Sequence, residues 1–144
     1  MTLAIKEMVY IPTYIKKREI LARGSYKGYE YAVVSYGVHP CAYIAISEGQ
    51  PYFKVSSYDD VDLSMHGGCT FVDKGLSDVF DNDQTVIGWD YGHYNDFSGT
   101  YLQGINYCPL SIEVKKWTTR EMMEECRNVI EQLYVIEHRE TFYV

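Results

Sequence analysis

The reading of residues 29–47, YEYAVVSYGVHPCAYIAIS, decides the fold. Tyr29–Tyr36 (YEYAVVSY) is dense in aromatic and β-branched side chains and reads as a strand, and Cys41–Ser47 (CAYIAIS) reads as a second. Gly37-Val38-His39-Pro40 interrupts them with turn-forming residues, so the two strands pair as a hairpin. Apolar residues fall on both sides of each strand. That pattern puts the pair near the centre of a sheet covered on both faces.

Upstream, Ile15–Arg23 mixes charge with apolar residues and reads as a strand or a short helix, and Ser25-Tyr26-Lys27-Gly28 reads as a turn. Downstream, Glu48–Asp60 is a long connection of the kind that often carries function. Val61–Met65 (VDLSM) alternates apolar and polar residues, which predicts a strand with one wet face. It runs into His66-Gly67-Gly68, and Cys69–Val72 continues as strand. In Asp73–Asp83 the spacing of Leu76, Val79 and Phe80 permits one or two helical turns. Thr85–Asp90 is another strand, and the glycines of Tyr91–Cys108 predict a loop. Near the C-terminus, Thr118-Thr119-Arg120-Glu121 is a capping box: the Thr118 hydroxyl accepts from the Glu121 amide and the Glu121 carboxylate reaches back. Met122, Cys126, Val129, Ile130 and Leu133 then recur at steps of three and four, predicting an amphipathic helix from about Thr119 to Glu137. The expected fold is α+β: one domain over residues 1–144, a mostly antiparallel sheet with the C-terminal helix packed on it.

The 144 residues carry 13 Lys+Arg against 20 Asp+Glu, a net charge of −7. Long nucleic acid normally demands a basic footprint, so it is an unsuitable partner, whereas a small nucleotide ligand, a cation or a basic protein surface is not excluded. No apolar run reaches the ~20 residues that span a bilayer, and Met1–Tyr10 lacks a signal-peptide layout, so no membrane partner is expected. Cys41, Cys69, Cys108 and Cys126 form no C-x-x-C pair, which argues against a zinc knuckle and leaves buried thiols as the reading. The chain has 15 tyrosines and only 5 phenylalanines, an excess suited either to half-buried strands or to stacking pockets.

Three of the four histidines sit beside glycine or proline in turn-like settings. Asp90, His93 and Asp96 form D-x-x-H-x-x-D at the end of a predicted strand, and His66 offers a fourth ligand from a neighbouring strand end. Imidazole with carboxylates suits a divalent metal such as Mn, Mg or Zn, whose open position would activate water or grip a phosphate oxygen. The same aspartates serve equally as Asx-turns. Gly67 and Gly68 let backbone amides approach a phosphate, or mark a β-bulge. Trp89 either stacks on a base or packs in the core, and Tyr58 adds an aromatic surface for a ligand. His39, held extended by Pro40, makes an acid/base pair if Asp60 from the long loop reaches it.

Taken together, Gly28-Tyr29, His39-Pro40-Cys41-Ala42-Tyr43-Ile44, Tyr58-Asp59-Asp60-Val61, His66-Gly67-Gly68-x-Thr70-Phe71, Gly88-Trp89-Asp90-x-x-His93-x-x-Asp96 and Thr118-Thr119 resemble a family of small phage and prophage proteins with HGG-L-T-[FY] and G-[WF]-D-x-x-H-x-x-D signatures. The resemblance spans about Gly28 to Leu133 and departs at Cys69, where the family has leucine, and around Asn95-Asp96-Phe97. It implies a phage or prophage origin and the cytoplasm of a bacterial host, but hands over no reaction. Small accessory phage proteins often counter host defences, some of them by cleaving or sequestering cyclic nucleotide signals. The expectation is therefore a counter-defence phosphodiesterase with His39, His66 and Asp60 catalytic, Gly67, Gly68, Trp89 and Tyr58 contacting ligand, and His66, Asp90, His93 and Asp96 holding a metal. The alternatives are a metal-free form with His39 and His66 as base and acid of a 2′-hydroxyl attack, a homo-oligomer that sequesters the nucleotide uncleaved, and an acidic inhibitor of a host defence protein. The charge balance makes one direct prediction: in a gel-shift assay at physiological salt, random-sequence duplex DNA stays unbound.

Overall fold

The computed structural model describes residues 18–92 and 115–139. Its elements are β1 (Glu19–Tyr26), β2 (Tyr29–Ser35), β3 (Pro40–Ile46), a 3-10 turn (Tyr58–Asp60), β4 (Phe71–Leu76), β5 (Phe80–Asp90) and α1 (Thr119–Glu137). The strands form one antiparallel sheet in the order β1-β2-β3-β5-β4, with α1 packed on one face. The α+β expectation is correct, and the stretch 29–47 supplies the two strands it was read to contain. Lys27 (φ 50°) and Gly28 (φ 89°) form the two-residue turn between β1 and β2, both in the left-handed region that suits the twist of a tight hairpin.

Each face of the sheet has its own core. On the helix side, Tyr29, Tyr31 and Val33 of β2, Ala42, Ile44 and Ile46 of β3, and Ile87 and Trp89 of β5 meet Met122, Cys126, Val129, Ile130 and Leu133 of α1. On the other side, Ala32, Val34, Tyr43, Ala45 and Val86 pack with Val79 and Phe80. Those last two come from the tip of the β4–β5 hairpin, which folds back across the sheet. Its bend coincides with a bulge between Lys74 and Leu76. Gly75 occupies it at φ 73°, and a Cβ there would come within 2.5 Å of Asn82 Oδ1 and 2.8 Å of Asn82 Cα. The returning tip reaches the opposite edge of the sheet: the Arg18 guanidinium donates to the Ser77 carbonyl, and Arg23 on β1 donates to the Val79 carbonyl with its guanidinium 5.5 Å from the Phe80 ring centre.

Two sequence expectations fail here. Asp73–Asp83 is not helical. The spacing of Leu76, Val79 and Phe80 belongs to a tight turn in which the Val79 amide donates to the Leu76 carbonyl at 2.8 Å, with Asp78 at φ 67°. Aspartate tolerates that conformation better than most residues. Val61–Met65 is extended but joins no ladder. Its alternation is real, since Val61 and Met65 are buried while Asp62 and Ser64 are exposed. The partner it lacks in the sheet is supplied by a helix side chain: Gln132 accepts from the Ser64 amide and donates to the Ser64 carbonyl, each at 2.8 Å.

The helix bounds and its capping box are as expected, with Thr118 Oγ1 accepting from the Glu121 amide at 3.1 Å and Glu121 Oε1 accepting from the Thr118 amide at 3.0 Å. The half-exposed Glu121 carboxyl is held below its ordinary range, first by the Thr118 amide and then by Lys115. Thr118→Ala is expected to cost about 1 kcal/mol. Ile130→Ala, at a fully buried position, should cost about 2–5 kcal/mol through the cavity it leaves. Denaturant midpoints measure both, and equal, negligible shifts would contradict the docking of this helix.

Candidate functional site at one end of the sheet

His39, Asp90 and the His66-Gly67-Gly68 turn gather at one end of the sheet, where β3 starts, β5 ends and β4 begins. The Tyr91 amide extends the β3–β5 ladder by donating to the Pro40 carbonyl at 3.0 Å. Along β5 the side chains alternate, so Trp89 and Tyr91 lie on the helix side while Asp90 lies on the other with Cys41. The polar residues accordingly divide into two groups flanking Asp90–Gly92.

On the helix side, the His66 ring stacks on Tyr91 with centroids 4.9 Å apart and planes 11° from parallel, and Trp117 meets it edge-on at 4.9 Å. The Tyr91 hydroxyl donates to Glu125 Oε1 at 2.5 Å and accepts from Trp89 Nε1 at 3.1 Å. The His66 amide donates to Glu125 Oε2 at 2.7 Å, so one helix carboxylate fixes both the ring beneath His66 and the backbone that carries it. Burial, then the bond to Glu125, pushes the Tyr91 hydroxyl well above its ordinary pKa, so it stays a donor at any physiological pH. The Lys115 ammonium sits 4.2 Å from the centre of the Trp117 ring.

On the other side, the His39 ring lies against Gly92, where an added Cβ would meet Cδ2 at 2.7 Å and Nε2 at 2.8 Å. Its Nδ1 is 3.4 Å from the Pro40 carbonyl. A proton on Nδ1 suits that contact and leaves Nε2 with the lone pair. Asp90 accepts from the Gly92 amide at 3.0 Å through Oδ1 and from the Thr70 hydroxyl at 3.4 Å through Oδ2. The first bond is an Asx-type turn that brings Gly92 round to His39. Burial lifts the Cys41 thiol to about 11, so it is protonated at neutral pH and no nucleophile.

Several expected site residues stand elsewhere or do other work. Trp89 is 1% exposed and packs in the core, so it offers no stacking face to a ligand. Gly67 (φ 71°) and Gly68 (φ 83°) form a turn closed by the Gly68 amide on the Met65 carbonyl at 2.9 Å. That amide is therefore committed within the chain rather than presented to a phosphate, and the turn stands outside any ladder, so it is no bulge either. Residues 61–66 run antiparallel to α1, with Ser64 at Gln132 and His66 at Glu125. This carries Tyr58 and Asp60 towards the far end of the sheet, where Tyr52 of the same connection bonds Asp62. Asp60 is thus no partner for His39; the nearby carboxylate on its side of the sheet is Asp90. His66 and Asp90 lie on opposite faces. Among the described residues no three of His, Cys, Asp and Glu are grouped to hold a metal, while His93 and Asp96 lie outside the described residues. Cys41, Cys69 and Cys126 are free thiols, of which only Cys126 is fully buried.

Sequence reasoning missed Tyr91, Trp117, Glu125 and Thr70. Tyr91 was legible in principle, because it continues the helix-side alternation of Ile87 and Trp89. Glu125 was not, since nothing in a helix sequence distinguishes a carboxylate that leans over the sheet end from one in solvent. No helix among the described residues is long and apolar enough to cross a membrane. The chain matches no family model, no curated protein and no solved structure.

The Tyr91–Glu125 bond generates a test of this construction. Tyr91→Phe leaves Glu125 Oε1 without its donor and Trp89 Nε1 without its acceptor, and is expected to cost about 1–3 kcal/mol in chemical denaturation. Tyr58→Phe, at a half-exposed position, should stay within about 0.5 kcal/mol.

Proposed function

We propose that this end of the sheet is the working site of a small-nucleotide phosphodiesterase, encoded by a phage or prophage and directed in the host cytoplasm against a nucleotide immune signal. One observation carries the reading: His39 and His66, both half-buried, flank the same three residues, Asp90–Gly92, one from each side. For both imidazoles to act on one phosphodiester, as base and acid, the substrate would have to bind across the strand end and reach around it to each ring. His39 Nε2 takes the proton from an attacking hydroxyl, either water or a 2′-hydroxyl of the substrate. That oxygen bonds to phosphorus, the bridging P–O bond breaks, and the leaving oxygen takes a proton from His66. Asp90 lies at the same strand end, where its bond to the Gly92 amide holds the turn against which the His39 ring packs. The resemblance to phage proteins and the net charge of −7 support a small substrate over a polynucleotide. A divalent metal enters this proposal through Asp90 with His93 and Asp96, where it would supply the positive charge that phosphate needs.

Incubation with cyclic dinucleotides and cyclic ADP-ribose isomers, with and without Mn or Mg, followed by heat denaturation and nucleotide analysis, tests the reading. Linear or monomeric product is the expected result. His39→Ala and His66→Ala should each lose a hundredfold or more in rate, about 2.7 kcal/mol of barrier, while remaining folded. Loss of turnover with chelator would assign the phosphate charge to a metal. Stoichiometric recovery of intact nucleotide would replace the enzyme with a sequestering protein, and no interaction with any nucleotide would overturn both.

A further inference from the structure

The grooves bordered by the long connection lie at the other end of the sheet, away from both histidines. One, of about 380 Å³, runs between residues 53–56 and the edge strand β4, and is lined by Phe53, Val55, Val72, Lys54, Lys74 and Thr85 among others. A second, of about 450 Å³, shares Phe53, Lys54 and Val55 and continues round the connection. Each is large enough for a small ligand, within the usual range of about 300–1,000 Å³.

Its chemistry differs from that of the rest of this acidic chain. Lys74 is exposed, yet its ammonium does not extend into solvent. It folds back to 3.7 Å from the centre of the Phe53 ring and donates to Thr85 Oγ1 at 2.8 Å. Thr85 is 1% exposed and donates onward to the Phe53 carbonyl at 2.5 Å, so the hydroxyl that receives the lysine is itself fixed. An ammonium has three donors, and this network uses one. The ion pairs among the described residues join other cations, Lys27, Lys115 and Arg120, to their carboxylates; none involves Lys54 or Lys74. Asp73 also lines the groove, and its Oδ1 accepts from the Lys74 amide at 2.7 Å. Two lysines against one aspartate leave the groove one positive charge in excess. A lysine already held against a ring loses little further side-chain freedom when an anion arrives, which is the usual cost of using this residue as a binding group.

We propose that this groove binds a small apolar monoanion, an aromatic or aliphatic carboxylate, with the charged end on Lys74 and Lys54 and the apolar body on Phe53, Val55 and Val72. The assignment is independent of the phosphodiesterase reading, since the groove shares no residue with the histidine end. The single excess charge matches a monoanion and leaves the second charge of a dianion unmatched.

The test is a titration of the 144-residue protein followed by amide chemical shifts, using benzoate, its neutral isostere benzamide, and phenyl phosphate above pH 7. Benzoate is expected to give saturable shifts confined to residues 53–56, 72–74 and 85, at least tenfold tighter than benzamide and tighter than phenyl phosphate. Lys74→Met should weaken benzoate tenfold or more. Lys54→Gln, at the exposed mouth where folding is not at stake, should weaken it measurably while leaving the dispersion of the β5 amides unchanged. Benzoate shifts that do not saturate, shifts scattered over the surface, benzamide binding as tightly as benzoate, or unchanged benzoate affinity in both variants would each overturn the proposal.

Discussion

Three tyrosine hydroxyls that donate to three glutamates of α1 hold the architecture in its particular arrangement. Tyr26 on β1 bonds Glu131 at 2.5 Å, Tyr29 on β2 bonds Glu137 at 2.6 Å, and Tyr91 beyond β5 bonds Glu125 at 2.5 Å. The apolar stripe of the helix supplies the drive to dock, but a greasy face alone tolerates sliding and rotation. Charge-assisted hydrogen bonds are directional and stronger than neutral ones, so three of them at different heights fix the helix along its length. Each tyrosine crosses the boundary between core and solvent with its ring on the apolar side and its hydroxyl at the rim. The excess of tyrosine over phenylalanine is thereby explained in part by packing, with no stacking pocket required. Glu131, although half-exposed, is held below its ordinary range by Tyr26 and then Lys27, so this contact stays charged at neutral pH and weakens as acid protonates the carboxylate.

The candidate site depends on that arrangement. Glu125 has one oxygen on Tyr91 and the other on the His66 amide, so the position of the histidine turn follows from the docking of the helix. His39 is set by a different device, the Asx-type bond of Asp90 to the Gly92 amide and the absence of a side chain at Gly92. The two imidazoles are therefore placed by separate elements, and the short end of β5 is what they have in common.

The sequence made the helix and the central hairpin legible because both rest on local rules: the cap motif, the recurrence at three and four residues, and a β-rich run broken by Gly37 and Pro40. The β4–β5 tip was misread because Leu76, Val79 and Phe80 have helical spacing, whereas their burial comes from the hairpin folding over β2 and β3, a contact between distant parts of the chain. Val61–Met65 was misread for a related reason. Alternation reports an extended chain with one buried side, and is silent on whether the partner is a strand or, as here, Gln132 of a helix. At the candidate site, the histidine and glycine motifs converge on one end of the sheet, while Asp60 stands apart from His39 and Trp89 packs in the core. Motif spacing along the chain carries no information about which face of a strand a residue occupies, and that face decides both.

The bulge at Gly75 has a consequence for how copies of this protein meet. An edge strand presents unpaired amides and carbonyls that invite a strand from another molecule. Among the described residues β4 is such an edge, but its register breaks between Lys74 and Leu76, and two exposed charged residues, Asp73 and Lys74, stand just before the break. A straight strand laid alongside would lose register after a few residues and would bring a copy of those charges with it. The kink that sends the hairpin back over the core thus also makes this edge a poor template for a strand from another molecule.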